Sequence, residues 1–217
     1  MTPSAELIPI EYGVYSAADA DAMAKLLAET FSRRDPPAIA IGVTAAEFEA
    51  FVRLFCPRAA DEGLTIVARL AGTGEIVGAL LTEDCASAMP AGMDQLSPKF
   101  EPIFDILGQL DSEYRAGQEI RHGERMHLFL LGVSERAAGQ GVAKQLVAAC
   151  LENGARLGYR LAVTEATNKT SQHIFRKLGF VERVTLSYEA HRFNGRTVFA
   201  SIAEHGGPIL MDRPLIR

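Results

Sequence analysis

Met126-His-Leu-Phe-Leu-Leu-Gly-Val133-Ser134-Glu-Arg136-Ala-Ala-Gly139-Gln-Gly141-Val-Ala-Lys144 is the stretch on which the fold turns. Arg125–Val133 is strand-like, and Gly141–Leu157 is an amphipathic helix stopped by Gly158, a residue suited to the left-handed end of a helix. Where a strand passes through a loop into a helix, the first helical N–H groups have no carbonyl partner and lie at the positive end of the helix dipole. That is a seat for a phosphate or diphosphate. Gly139 and Gly141 let the backbone close on such a ligand, and Arg136 adds a cation beside it.

Two other phosphate loops fit worse. A Walker A loop is excluded, because no Gly-Lys-Ser/Thr follows. A dinucleotide loop draws some support from Glu165, which ends the next strand and is placed to hold a ribose. However, its fingerprint needs the first glycine directly after the strand, and Lys144 stands where close helix packing wants Gly or Ala. A purely structural glycine turn remains open.

Downstream, Leu161–Ala166 reads as a strand, Ser171–Lys177 as a short helix closed by Leu178-Gly179, and Val181–Tyr188 as a strand. Asn194-Gly195 is a turn and Ile209–Met211 a last strand. Strand–helix–strand at this spacing predicts a parallel pair with a right-handed crossover. Upstream, Leu64–Leu70 and Glu75–Thr82 flank Gly72-Thr73-Gly74 as a hairpin, so the sheet is mixed. Residues 8–15 predict an edge strand, because of Pro9. Ser16 caps a helix to about Phe31 that Asp35-Pro36-Pro37 stops. Thr44, with Glu47 three residues on, caps another that ends before Pro57. After the loop 85–97, a helix from Pro98 to about Ala116 gathers Phe100, Ile103, Phe104, Leu107, Leu110 and Tyr114 near one stripe. It is either core-facing or a lid.

With 217 residues, 48% apolar and 23% charged, the chain suits one globular domain with an insertion at 85–120. A net charge of −5 without a basic cluster argues against nucleic acid as a partner. No run reaches membrane-spanning length and no signal peptide opens the chain. Cys56, Cys85 and Cys150 follow no pattern, which points to reduced thiols in a cytoplasmic protein, and no metal motif is present.

Two blocks resemble the GNAT superfamily of N-acetyltransferases. Arg136-Ala-Ala-Gly139-Gln-Gly141 is similar to its Arg/Gln-x-x-Gly-x-Gly/Ala signature. Asn168-Lys-Thr-Ser171-Gln-His-Ile-Phe175-Arg-Lys-Leu-Gly179-Phe180 is similar to its second block. Met126–Val133 and Asp35-Pro36 further resemble the arylalkylamine N-acetyltransferase branch. The resemblance implies a mixed, mostly antiparallel sheet whose central parallel pair, 126–133 and 161–166, splays to admit acetyl-CoA. It implies that the pantetheine arm lies along Leu131, Gly132 and Val133. The diphosphate would rest on the amides of Arg136, Ala137, Ala138, Gly139, Gln140, Gly141, Val142, Ala143 and Lys144. Asn168, Ser171 and Phe175 would face the arm. Dimers are common in this superfamily, though nothing in the chain compels one.

Acyl transfer to a small-molecule amine needs the free base of that amine, hence a proton acceptor. The candidates are Asp35, which also reads as a plain helix-stop residue, and His127, which also reads as a structural strand histidine; Glu165 is a third. Many GNAT enzymes have Tyr where this chain has Phe175, so a general acid would have to be Ser171 or Tyr188, and Ser171 reads equally as a helix cap. The expected function is N-acetylation of a primary amine by direct attack. The alternatives are a catalytically weak acyl-CoA sensor and a protein N-acetyltransferase.

Overall fold

A computed structural model describes residues 9–215. The chain runs β1 (Ile10–Val14), α1 (Ala20–Arg34), α2 (Pro36–Ala40), α3 (Ala45–Glu62), β2 (Ile66–Leu70), β3 (Ile76–Asp84), α4 (Glu101–Arg115) and β4 (Arg125–Val133). It continues through α5 (Val142–Leu157), β5 (Leu161–Ala166), α6 (Lys169–Lys177), β6 (Val181–Thr185) and β7 (Ile209–Pro214). The strands form one sheet in the order β1-β2-β3-β4-β5-β7-β6. Among the described residues only β4 and β5 run parallel, joined through α5; every other pair is antiparallel. This is the mixed, mostly antiparallel architecture that the sequence predicts. The expected start of the first strand, at Ile8, lies outside the described residues.

Each face of the sheet carries its own core. Leu146, Val147 and Cys150 of α5 pack on Ile66, Ala68, Leu80 and Leu128. On the other face, α1 and α3 bring Met23, Leu27, Phe48 and Phe51 onto Val67, Ala79, Leu81 and Leu130. Leu128 and Leu130 are two residues apart, so in a regular strand they would share a face. They lie in opposite cores because the β3·β4 register slips between Leu81 and Thr82, leaving Phe129 as an extra residue. That bulge flips the strand halfway along its length.

Three local departures have physical causes. The sequence predicts that the second helix ends before Pro57, but α3 runs through it to Gly63 (φ 63°). Phe55, Cys56 and Ala59 are all buried there, and that packing offsets the one hydrogen bond a proline removes. Asp35-Pro36-Pro37 stops α1 as expected and also starts α2, with Asp35 accepting from the Ala38 N–H and Pro36 in the first helical position. The strand expected over 181–188 ends at Thr185. Beyond it the pairing is irregular, with Leu186 and Tyr188 donating to the Pro208 and Gly206 carbonyls.

Candidate active site

β4 and β5 are zipped together at Arg125↔Leu161, Met126↔Ala162 and His127↔Val163. Just above, the Thr164 hydroxyl donates to the Leu128 carbonyl at 2.9 Å. From there β4 stays on β3 while β5 stays on β7, and a gap opens. The free edge of β4 can be read residue by residue. The Ser134 N–H donates to the Val77 carbonyl at 2.9 Å. With Gly78 opposite Val133 and Leu80 opposite Leu131, antiparallel alternation then turns the N–H and C=O of Leu131 and Val133 into the gap. The same alternation turns those of Gly132 onto Ala79, so Gly132 is not placed to pair with a cofactor arm. Its missing side chain serves α1 instead, since a Cβ there would stand 2.8 Å from Leu27 Cδ2.

The loop after β4 has the form a diphosphate requires. Ala137 and Ala138 donate back to Ser134 and Glu135, closing a tight turn. Gly139 and Gly141 then adopt φ of 76° and 77°, a region costly to any residue with a side chain. Gly141 caps α5 without a side-chain bond. Gln145 is the first amide of α5 to find a backbone acceptor, in the Gly141 carbonyl, which leaves the amides of residues 139–144 free at the positive helix end. Gln140 ties the turn by donating to the Arg136 carbonyl at 3.2 Å. The Arg136 side chain turns away and pairs with Glu75 at 2.9 Å.

On the opposite wall, Asn168 caps α6. Its side-chain oxygen accepts from the Ser171 N–H at 2.9 Å, and the Ser171 hydroxyl donates to the Asn168 carbonyl at 2.9 Å. Asn168, Ser171, Phe175, Leu131, Val133 and Ala143 line one cavity of about 320 Å³. Phe175 is buried edge-on to Phe180, with centroids 5.0 Å apart.

The deep end of that cavity is phenyl-lined. Phe31 and Phe48 stack at 5.0 Å, Phe100 and Phe104 at 5.7 Å, and Phe51 meets the bulged Phe129 at 5.8 Å. Phe100, Ile103, Phe104 and Leu107 roof it from the start of α4 and the turn before it. Two carboxylates reach its wall, Asp35 and Glu165. Asp35 is buried; it accepts from the Thr167 hydroxyl at 2.6 Å and the Ala38 N–H at 3.2 Å. Burial pushes its carboxyl up to about 6, against the pull of those two donors.

His127 and Tyr188 lie behind the lining. Burial opposes charge on His127, but Glu165 on Nε2 (2.5 Å) and Glu83 on Nδ1 (3.4 Å) outweigh it and hold the imidazole well above its ordinary range. Glu165 faces the same burial, yet His127 holds it below the usual carboxylate range. Arg58 completes the chain by pairing with Glu83 at 3.2 Å. The result is a protonated His127 in a compensated cluster. The phenol of Tyr188 donates to the Thr167 carbonyl at 2.8 Å, and burial followed by the nearby Asp35 raises it. Phe48 and Phe51 read in sequence only as core residues, Phe100 and Phe104 as part of a helix that is either core-facing or a lid, and Thr167 carried no signal except its place beside Asn168.

A mixed, mostly antiparallel sheet flanked by helices, with its parallel pair splayed and a free-amide loop at the mouth, matches the architecture of the GNAT fold. A family model described as the acetyltransferase (GNAT) family matches residues 21–180, and the chain belongs to that family. Among solved structures, the C-terminal condensation domain of Ebony, in complex with beta-alanyl-dopamine, matches at TM-score 0.87 and 12% identity over 95% of this chain and 99% of that one. Arylalkylamine N-acetyltransferase 2 from Aedes aegypti matches at 0.80 and 20% over 95% and 99%. A Drosophila melanogaster polyamine N-acetyltransferase, described as catalysing formation of N-acetylagmatine, matches at 0.76 and 19% over 95% and 100%. At these identities the likeness is one of fold.

Proposed function

We propose that this chain acetylates the primary amine of a small arylalkyl compound, using acetyl-CoA. The observation that carries the reading is the phenyl-lined chamber closed by α4, with the Asp35 carboxylate in its wall. A roofed chamber of this kind excludes a folded peptide and favours an aromatic ring. The likeness to arylalkylamine N-acetyltransferase 2 and to a domain complexed with beta-alanyl-dopamine supports the same class. A polyamine would bring a second cation. Glu165, the other carboxylate at the wall, is already neutralised by His127, so the chamber holds one uncompensated carboxylate, Asp35.

Acetyl-CoA supplies the thioester. The amides of residues 139–144 receive its diphosphate, and Leu131 and Val133 offer their free N–H and C=O groups to its arm. Asp35 binds the incoming ammonium and takes its proton. An ordinary alkyl ammonium titrates near 10.4, about four units above Asp35. The apolar chamber narrows that gap, since burial lowers an amine's pKa while raising a carboxyl's. The nitrogen then attacks the thioester carbonyl directly, backbone N–H groups on the free β4 edge steady the oxyanion, and its collapse breaks the C–S bond, so that coenzyme A leaves as the thiolate and takes up the proton the nitrogen sheds. His127 orients Glu165 and gives up no proton near neutral pH.

A second reading, an acyl-CoA-binding module without turnover, has one observation behind it. Phe175 has no hydroxyl, and those of Ser171 and Tyr188 both donate to carbonyls, so neither of these two candidate acids is poised over the leaving thiolate. Thiol release from acetyl-CoA across arylalkylamines, polyamines, amino acids and aminoglycosides separates the two. Fastest release with arylalkylamines supports the enzyme. Coenzyme A binding with no release from any amine supports the module.

A further inference from the structure

One side chain bridges the mouth of the gap. Arg34, the last residue of α1, places Nη1 3.4 Å from the Val133 carbonyl and Nη2 3.2 Å from Glu135. The Val133 carbonyl is one of the two acceptors that alternation turns into the gap, so Arg34 stands where an amide N–H of the pantetheine arm would donate. Arg34 also separates two spaces. It lines the phenyl cavity and, with Thr30 and Val133, a second cavity of about 680 Å³ between α1 and the β2–β3 hairpin. Glu135, its anchor, belongs to the tight turn that leads into the free amides at 139–144. The next residue along the chain is Asp35.

We propose that Arg34 is a cofactor-responsive latch: it holds the Val133 carbonyl and Glu135 in the free protein and gives them up to grip the diphosphate of the bound cofactor. This rests on the acetyl-CoA reading of the gap. A guanidinium at 3.4 Å makes a long, weak bond to a neutral carbonyl, and its pairing with Glu135 is open to solvent, with the two side chains 42% and 76% exposed. A diphosphate offers the same guanidinium a bidentate, charge-assisted partner. The exchange breaks one weak hydrogen bond and one screened ion pair, and it frees the Val133 carbonyl for the arm. Because Arg34 adjoins Asp35, the movement also carries cofactor occupancy to the end of α1, where the proposed base sits.

Calorimetric titration with coenzyme A and with pantetheine, which has the arm but no diphosphate, tests this without turnover. In Arg34→Ala, affinity for coenzyme A falls about tenfold or more, while affinity for pantetheine is unchanged or rises because its competitor is gone. Glu135→Gln tightens coenzyme A in the wild-type background, and the gain shrinks when Arg34 is already alanine. Equal changes for both ligands in Arg34→Ala, or no change in either, overturn the latch while leaving acetyl-CoA binding intact. A wild-type protein that binds neither ligand overturns the acetyl-CoA reading itself.

Discussion

Asp35 is an aspartate kept where an ionised carboxylate is costly. Replacing it with Asn preserves an acceptor for Thr167 or Ala38 and removes the charge. Activity then falls by about 10²–10⁴-fold, the usual contribution of a general base. In the wild type kcat/KM rises through the carboxyl's pKa of about 6, and in Asp35→Asn that limb disappears. A profile unchanged between the two would remove Asp35 from the mechanism. Stability moves the other way. The folded carboxyl titrates at about 6 against an ordinary 3.8, so the folded state holds the proton more tightly. The stability tied to that proton is intact below about pH 4 and is lost as pH rises through 6. Asn never ionises. The melting temperatures of the two proteins should therefore meet near pH 4 and diverge by pH 8, with the variant higher by at most about 3 kcal/mol of stability. A variant that melts lower at pH 8 would mean the carboxylate is better solvated than its burial implies.

On the proposed function two elements divide the labour of binding, so damage to each should register on a different substrate. α4 supplies the roof, and Phe104 stacks on Phe100 there without being fully buried itself. Phe104→Ala should raise KM for an arylalkylamine about tenfold while leaving KM for acetyl-CoA near its starting value. The N-terminus of α5 supplies the diphosphate seat. Gly141→Ala forces a side chain onto φ of 77°, a cost of about 1–2 kcal/mol, and should weaken coenzyme A rather than the amine. Steady-state kinetics with each substrate varied separately checks both, and a shift of the same parameter in both variants contradicts the division. The free-amide loop was legible in the sequence because its geometry is local: two glycines, a strand before them and a helix after. So was the α6 wall, where Asn168 and Ser171 lie within one turn. The phenyl lining was not. Phe48 and Phe51 of α3 carry the helical periodicity of ordinary core residues, and nothing in that period distinguishes a ring facing a cavity from one facing another ring. The role of His127 was hidden for a related reason, since Glu83 and Glu165 reach it from the strands on either side.

At the scale of the molecule, the sheet is two parts, β1–β4 and β5–β7–β6, joined edge to edge by three residue pairs and the Thr164 pin. The alternation that defines the free edge makes a sharp test of whether a cofactor completes the sheet. If the arm lies in the gap as an added strand, it bonds to the groups facing it and leaves those facing β3 unchanged. Hydrogen exchange at single-residue resolution should then show the Leu131 and Val133 amides gaining protection on addition of coenzyme A. Gly132, already paired with Ala79, should change little. Ligand at about 100 times its dissociation constant adds about 2.7 kcal/mol to global stability, a small uniform rise for amides that exchange by global opening. Protection from a filled gap is instead local and alternates along β4, and it should extend into β5, which gains a neighbour above the pin. Uniform protection over residues 130–133 would mean that the cofactor stiffens the molecule without pairing with the strand. Protection confined to residues 139–144 would place the diphosphate correctly and leave the arm outside the gap.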